Sequence, residues 1–157
     1  MMGGGMAANL LKDGFPLVAY DIDAAKNDRF AGLGATIADG PEAVARAAAT
    51  VICIVETTAQ ARVVIVGDGG IIDGVEAGDV VLCMSTIDPL VVKDMHGRLA
   101  ERNVAMLDAP VSGGVPRAVS GDLSVIVGGD AAVVEKCRPI FESMSARIFH
   151  MGGIGQG

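Results

Sequence analysis

Short apolar runs alternate along the chain with segments in which apolar residues recur at helical spacing, and this alternation is typical of βαβ units. The runs predict strands at residues 17–20, 51–55, 80–84, 104–107 and 123–127, with shorter strands at 35–37 and 147–150. Helices are predicted at 4–13, 24–31 and 58–66, and from residues 41, 89 and 131 onward, whereas 108–121 is predicted to be a loop. The pattern therefore predicts an α/β domain with a mostly parallel sheet.

Residues that commonly begin or end helices support these boundaries. Gly14 is placed to cap the C-terminus of the first helix, and Asp88 and Asp130 precede predicted helices as N-caps. Pro89 suits the first position of a helix. Pro139 lies inside the last predicted helix and is expected to kink it or to shift its register.

Composition and charge narrow the class of protein. Aromatic residues make up 3% of the chain and Trp is absent, so the core is expected to consist of Val, Ile, Leu, Met and Ala. The net charge of −7 argues against a nucleic acid as partner. No apolar run is long enough to span a membrane, and the N-terminus lacks the features of a signal peptide. Cys53, Cys83 and Cys137 have neither CxxC nor metal-ligand spacing, which predicts a reduced, cytoplasmic protein without a metal site.

The start of the chain has one pattern that favours a dinucleotide. Gly3, Gly4 and Gly5 stand where a helix begins, and glycines there allow backbone N–H groups and the positive helix end to approach a pyrophosphate. A strand follows, and Asp21 comes 18 residues after Gly3, close to the spacing of a carboxylate that binds ribose hydroxyls. On spacing alone, a flexible start and a helix cap at Asp21 explain these residues equally well.

Polar residues follow three of the other predicted strands. Ser112 with Gly113 and Gly114 can offer a hydroxyl and two N–H groups to an anion, although an ordinary Pro/Gly turn has the same composition. Ser85 and Thr86 end a strand where ligands of doubly wound sheets bind, but Ser85 is equally suited to cap a helix. Glu56 is either a ligand contact or a solvated turn residue. His96 is expected on the surface and His150 in a structural role.

Four motifs in this order resemble the β-hydroxyacid dehydrogenases, the family of 3-hydroxyisobutyrate dehydrogenase and tartronate semialdehyde reductase. The family opens with a strand and GLGxMGxxMAxNLxxxG, and residues 1–14 match everything after the second glycine. The family's DAPVSGG motif is intact at 108–114 and its MS[ST]IxP segment stands at 84–89, while 121–130 and 152–157 also resemble it. The resemblance covers the whole chain and implies a Rossmann-like, doubly wound NAD(P)-binding domain.

The resemblance also assigns roles to single residues. It implies that the substrate carboxylate is held by Ser112, Gly113 and Gly114. It implies cofactor contacts from Met2, Gly3, Asp21, Val55, Glu56 and Thr86. The family more often has Leu-Pro at the positions of Val55 and Glu56, which is a departure in this sequence. NADP-preferring relatives often carry Arg where this chain has Ile22, and the carboxylates of Asp21 and Asp23 would repel a 2′-phosphate, so NAD is favoured over NADP.

The sequence departs from the family pattern at both ends. The family's first strand, which is central in a doubly wound sheet, has no counterpart in 1–157, so its two neighbours are expected to lack a ladder partner. The catalytic Lys of the family is expected just beyond Gly157, and the family's helical C-terminal domain, which completes the substrate site and the dimer, is expected to lie outside residues 1–157. Residues 1–157 are thus expected to form an incomplete NAD(P)-binding domain.

These observations give one functional expectation and two alternatives. The parent enzyme is expected to transfer a hydride between a nicotinamide cofactor and a small β-hydroxy acid, and to be a homo-oligomer only at full length. The isolated chain is expected to lack turnover and to show poor solubility or weak NAD binding. One alternative is a non-catalytic cofactor-sensing or interaction module. The other is a relative that resembles 6-phosphogluconate dehydrogenase or an imine reductase.

Overall fold

Residues 2–157, the part of the chain that the computed structural model describes, contain eight helices and eight strands, which alternate except that α5 follows α4 and β6 follows β5. The strands are β1 (Val18–Ala19), β2 (Thr36–Ile37), β3 (Thr50–Cys53), β4 (Val80–Cys83), β5 (Ala105–Asp108), β6 (Val111–Ser112), β7 (Leu123–Gly128) and β8 (Ser145–Gly152). The helices are α1 (Met2–Lys12), α2 (Ala24–Gly32), α3 (Pro41–Ala47), α4 (Thr58–Val66), α5 (Ile71–Gly74), α6 (Pro89–Ala100), α7 (Gly114–Ser120) and α8 (Ala131–Met144). The part of the expected glycine motif that falls on Met1 lies outside the described residues.

The strands form two separate sheets. β1 and β2 pair in parallel, and the other six strands follow the order β3-β4-β5-β7-β6, with β8 also paired to β7. The β3–β4, β4–β5 and β7–β8 pairs are parallel, whereas β7 runs antiparallel to β5 and β6. The predicted α/β class with a mostly parallel, Rossmann-like sheet is therefore confirmed. Within residues 2–157, β1 pairs only with β2 and β3 pairs only with β4, as expected for two strands that each lack a ladder partner.

The six-stranded sheet is covered on both faces, as the continuous apolar run of β4 predicts. Val80 and Leu82 pack in one apolar cluster, which includes residues of α1 and α8. Val81 and Cys83 pack in the other cluster, which includes residues of α4 and α6. All four side chains are at most 1% exposed. Because neighbouring strand residues point to opposite faces, the sheet forms the middle layer between helices on both sides.

The predicted helix ends are also confirmed. After α1, the N–H of Phe15 donates to the carbonyl of Leu10 and that of Gly14 to the carbonyl of Leu11, with Gly14 at φ 86°. These are the two hydrogen bonds of a Schellman motif. Asp88 and Asp130 accept backbone N–H groups at the starts of α6 and α8. No helix within residues 2–157 combines the length and the apolar character needed to cross a membrane.

Several local predictions were wrong. The predicted loop at 108–121 contains β6 and α7, and α5 was not predicted at all. Helix α1 begins at Met2, so Gly3 to Gly5 lie inside its first turns rather than before it. Helix α8 includes Pro139 and ends at Met144, and the kink or register shift expected at this residue stays a prediction. The helix in 108–121 escapes prediction because its sequence is rich in Gly and Pro and its burial depends on a distant partner, α1.

Candidate functional site at the carboxyl edge of the sheet

The carboxyl ends of β3, β4 and β5 meet at one edge of the sheet because these strands are parallel. Val55 and Glu56 follow β3, and Ser85 and Thr86 follow β4. The N–H of Val55 donates to the Ser85 hydroxyl at 2.8 Å. The N–H of Asp88 donates to the hydroxyl of Thr58 at 3.2 Å. The two loops are therefore joined by side chain–backbone bonds, and the alternative of Ser85 as a helix cap was wrong, since Asp88 caps α6.

Glu56 lies in the turn between β3 and α4 and is exposed. Its N–H donates to Oε1 of Gln60 at 3.0 Å, as does the N–H of Thr57 at 3.1 Å. Because the N–H of Gln60 in turn donates to the Thr57 hydroxyl at 3.2 Å, these residues form a capping box. The backbone at Glu56 is thus fixed while its carboxylate is free to face a ligand or solvent.

The first turn of α1 lies against the end of β3. A Cβ on Gly3 would stand 3.0 Å from the Cγ2 atom of Ile54, which directly precedes Val55. Met2 and Gly3 are both half-buried in this turn. The start of a helix carries partial positive charge and N–H groups without a partner inside the helix. The structure thus places the first turn of α1 next to Ile54, in the segment that continues into Val55, and the Ser85 hydroxyl joins that segment to the loop of Thr86.

Asp21 lies in the turn between β1 and α2, outside the group just described. Its Oδ1 accepts the N–H of Asp23 at 2.9 Å and pairs with Lys26 at 3.3 Å. Its backbone N–H donates to Oδ1 of Asn27 at 2.8 Å. Among residues 2–157, no hydrogen bond to Oδ2 of Asp21 is found. One carboxylate oxygen is therefore engaged inside the turn and the other is free for a ligand.

Ser112 ends β6, Gly113 connects it to α7, and Gly114 begins α7, so the three exposed residues form the turn from strand to helix. Gly113 has φ 142° and Gly114 has φ 71°, both in the region that favours glycine. A Cβ on Gly113 would also stand 2.8 Å from Cδ of Arg117. The turn requires its glycines, and its exposed backbone is accessible to a small anion.

Helix α7 joins this turn to α1. A Cβ on Gly5 would stand 2.7–2.8 Å from backbone atoms of Ala118 and Val119, so the two helices approach each other closely there. The side-chain amide of Asn9 donates to the carbonyl of Ala118 at 2.8 Å. The turn at Ser112 and the first turn of α1 therefore have a fixed relation to each other.

A small cavity lies between the loops after β4 and β5. It has a volume of about 50 Å³ and is lined by Ser85, Thr86, Ile87, Pro89, Val92, Asp108, Pro110 and Gly157. This volume suits a few water molecules and is much smaller than a typical ligand pocket. Residues 2–157 thus offer an open edge rather than an enclosed site.

The remaining chemistry-bearing residues are structural. Burial raises the pKa of the Cys83 thiol to about 11, and it raises the pKa of Cys53 further, so both are protonated and unreactive at neutral pH. Nε2 of His150 lies 2.9 Å from the carbonyl of Gly129 and 3.0 Å from that of Gly152, in agreement with the expected structural role. His96 is half-buried rather than on the surface. No cluster suited to a metal ion occurs within 2–157.

Sequence reasoning missed one residue of this edge, Asp108. It ends β5, is buried, and accepts N–H groups from Gly155 and Gly157. The motif at 108–114 included it, but only the Ser and Gly residues were assigned a role. The available signal was a carboxylate at a strand end together with a glycine-rich segment later in the chain.

Comparison with known proteins places this chain in a family. The model of the NAD binding domain of 6-phosphogluconate dehydrogenase matches residues 1–153. The chain is 39% identical to the NAD-dependent L-serine dehydrogenase of Pseudomonas aeruginosa, covering 99% of this chain and 52% of that protein. It is 35% identical to the mitochondrial 3-hydroxyisobutyrate dehydrogenase of Mus musculus, covering 99% of this chain and 47% of that protein.

A solved structure agrees with these matches. The 3-hydroxyisobutyrate dehydrogenase of Mycobacterium tuberculosis, described with L-serine, superposes with a TM-score of 0.90 at 27% identity, covering 99% of this chain and 53% of that one. The chain thus spans about half the length of the relatives it matches. It belongs to the family of NAD-binding domains of 6-phosphogluconate dehydrogenase, and it is similar to about half of each β-hydroxyacid dehydrogenase that it matches.

Proposed function

We propose that residues 1–157 form the cofactor domain, incomplete by itself, of an oxidoreductase that transfers a hydride between NAD and a small β-hydroxy acid. The observation that carries this proposal is the contact of the first turn of α1 with the carboxyl end of β3 at Gly3 and Ile54. It brings a helix N-terminus to the edge where doubly wound sheets bind nucleotides. Met2 and Gly3 would contact the pyrophosphate.

The other cofactor contacts follow the same edge. Val55 and Glu56 would lie along the cofactor, and Thr86 would contact its nicotinamide side, since the Ser85 bond joins their loops. Asp21 would accept hydrogen bonds from the adenosine ribose with its free Oδ2. The side chain of Ile22 is 89% exposed beside it, which leaves an apolar surface for the adenine ring.

The charges around Asp21 favour NAD over NADP. Asp21 and Asp23 both bear a negative charge at the ribose position and would repel a 2′-phosphate. Lys26 is the nearby cation, and it already lies 3.3 Å from Asp21 and 3.7 Å from Asp23. Its charge is thus compensated within the turn. The name of the Pseudomonas aeruginosa relative, an NAD-dependent enzyme, supports the same choice.

The turn at Ser112, Gly113 and Gly114 would hold the substrate carboxylate. Its two glycines expose backbone N–H groups, and the Ser hydroxyl adds a third donor. The relatives are named for L-serine and 3-hydroxyisobutyrate, and both are short acids with a hydroxyl on the β carbon. Such a turn fits the carboxylate that these compounds share.

Catalysis needs groups beyond this turn. The nicotinamide supplies hydride chemistry when it is bound, and a general acid/base must move the hydroxyl proton. On this proposal that group is the family's lysine, outside residues 1–157, and a helical second domain completes the substrate site and the homo-oligomer. The three cysteines are free thiols, which agrees with a reducing cytoplasmic location.

Calorimetric titration with NAD⁺ and NADP⁺ tests the cofactor proposal. We expect NAD⁺ to bind more tightly than NADP⁺, and Asp21→Asn to weaken NAD⁺ binding about ten- to a hundredfold through loss of a hydrogen bond to a charged group. Asp68→Asn is the matched control, because Asp68 is exposed in the turn after α4 and loses the same charge. Unchanged NAD⁺ affinity in Asp21→Asn, or tighter binding of NADP⁺ to the unaltered chain, would contradict the proposal.

A further inference from the structure

Asp108 is the one buried charged side chain of residues 2–157, at 4% exposure. Its Oδ1 accepts the N–H of Gly155 at 2.9 Å, and its Oδ2 accepts the N–H of Gly157 at 2.7 Å. No ion pair involves Asp108 in this part of the chain. A buried carboxylate is unfavourable unless it is hydrogen-bonded, so these two backbone groups stabilise its charge.

The glycines of residues 152–157, here called the glycine tail, allow this contact. A Cβ on Gly157 would stand 2.7 Å from Oδ2 of Asp108 and 2.5 Å from its carbonyl oxygen. On the facing strand, a Cβ on Gly128 would stand 2.6 Å from Oδ1 of Asp108 and 2.7 Å from the nitrogen of Gly157. Gly153, in contrast, has no atom within 4 Å of its Cβ position. Glycine is thus required where the tail meets the carboxylate, and not throughout the tail.

The tail reaches the cofactor edge as a result of this contact. Gly157 lines the cavity of about 50 Å³ together with Ser85 and Thr86. Both carboxylate oxygens of Asp108 are occupied by the tail, so neither is free to act as a base. The N–H groups of Gly155 and Gly157 are in turn occupied by Asp108 and do not form an anion site.

We infer that Asp108 is a positioning residue whose carboxylate holds the glycine tail as one wall of the nicotinamide end of the cofactor site. The inference rests on the proposed function for its ligand, because Thr86 is the residue assigned to the nicotinamide side. It does not depend on the proposed function for the contact between Asp108 and the tail. The contact between Asp108 and the tail, and the role of the tail as a wall of the cofactor site, therefore have separate tests.

Amide hydrogen exchange tests the contact. Asp108→Asn preserves the size of the side chain but replaces one acceptor oxygen with an NH₂ donor. We expect exchange at the amides of Gly155 and Gly157 to accelerate about ten- to a hundredfold, the range implied by loss of a hydrogen bond to a charged group. Asp68→Asn should leave both rates unchanged. Unchanged exchange in Asp108→Asn would overturn the inference.

A second variant avoids any change in the buried charge. Gly157→Ala places a methyl group 2.5 Å from the carbonyl oxygen of Asp108 and 2.7 Å from its Oδ2, so the tail must shift, and exchange at Gly155 should accelerate. Gly153→Ala is the matched control, since its methyl group meets open space. Equal exchange in these two variants would contradict the inference even if Asp108→Asn failed to fold.

Titrations with NAD⁺ and ADP-ribose test the wall. We expect Asp108→Asn and Gly157→Ala to weaken NAD⁺ binding several-fold and to leave ADP-ribose binding unchanged, because ADP-ribose has no nicotinamide. An equal loss for both ligands would overturn the assignment to the nicotinamide end. If the unaltered chain bound neither ligand, the proposed function and the wall would both fail, whereas the exchange rates would still decide whether Asp108 holds the tail.

Discussion

The two sheets of this protein differ in how deeply their side chains are buried and in how many strands pair within them. In the six-stranded sheet, β4 pairs with β3 on one side and β5 on the other, and each of its side chains is buried. In contrast, β1 and β2 pair only with each other, over two residues each. Helix α1 packs on the six-stranded sheet, because its Met6 and Leu10 belong to the apolar cluster that contains Val80 and Leu82 of β4. The proposed contacts with the pyrophosphate and the nicotinamide come from residues next to the six-stranded sheet. The proposed contact with the adenosine ribose comes from Asp21, which follows β1 of the two-stranded sheet.

This difference predicts which part of the domain opens locally at low free energy. Short strands with half-exposed side chains bury little apolar area and open locally at low free energy. Binding at Asp21 would thus need to order the turn around it, while binding at Gly3 would meet a preformed helix. Substitutions in each of the two sheets test this difference.

Truncations to alanine in the two sheets should have the largest difference in effect. Leu82→Ala removes a fully buried side chain from β4 and should lower the free energy of unfolding by about 2–5 kcal/mol. Val18→Ala in β1, where the side chain is half-buried, should lower it by about 1 kcal/mol or less. Urea denaturation followed by circular dichroism measures both. Similar losses from the two substitutions would show that the sheets are equally firm.

Two neighbouring glycines of α1 should respond in opposite directions. Gly5→Ala forces a methyl group against the backbone of Ala118 and should destabilise the protein by about 1–3 kcal/mol through overpacking. Gly4→Ala has its nearest neighbour at 3.9 Å and should be neutral or stabilise the helix by up to about 1 kcal/mol. The same denaturation experiment checks this pair. A tolerated Gly5→Ala would mean that α1 and α7 are not closely packed.

Loss of the Ser85 hydroxyl should have a smaller effect on stability. Ser85→Ala removes the acceptor of the Val55 N–H and should lower the free energy of unfolding by about 0.5–1.5 kcal/mol. It should also weaken NAD⁺ binding, because the loop at Val55 and Glu56 loses its fixed position. Ser120→Ala, at an exposed site, is the control for both measurements. Unchanged NAD⁺ affinity in Ser85→Ala would separate this loop from the cofactor site.

The same contrast explains which features were predictable from the sequence. The run at 80–84 predicted β4 because burial on both faces demands continuous apolar residues. Helix α7 was not predicted, since its local sequence is rich in Gly and Pro and its packing depends on Gly5 and Asn9, more than a hundred positions away. Burial and helix capping leave a local pattern, but long-range contacts between small residues do not.

Contacts between residues far apart in the sequence were not predictable in the candidate site either. The hydrogen bonds of Asp108 span 47 and 49 positions, so no local spacing could indicate them. Gly3, Asp21 and Ser112 were singled out by spacing and by family resemblance. Those signals named the residues, yet only the structure showed that Gly3 lies against Ile54 and that Lys26 already pairs with Asp21.

An NMR titration of the unaltered chain with NAD⁺ tests the central claim most directly, which is that the carboxyl edge binds a dinucleotide. We predict shifted amide signals at residues 2–5, 21–23, 54–57 and 85–87. Signals at residues 76–79, which precede β4 at the opposite edge, should remain unchanged. Shifts confined to that opposite edge, or no shifts at any residue in the presence of millimolar NAD⁺, would contradict the claim.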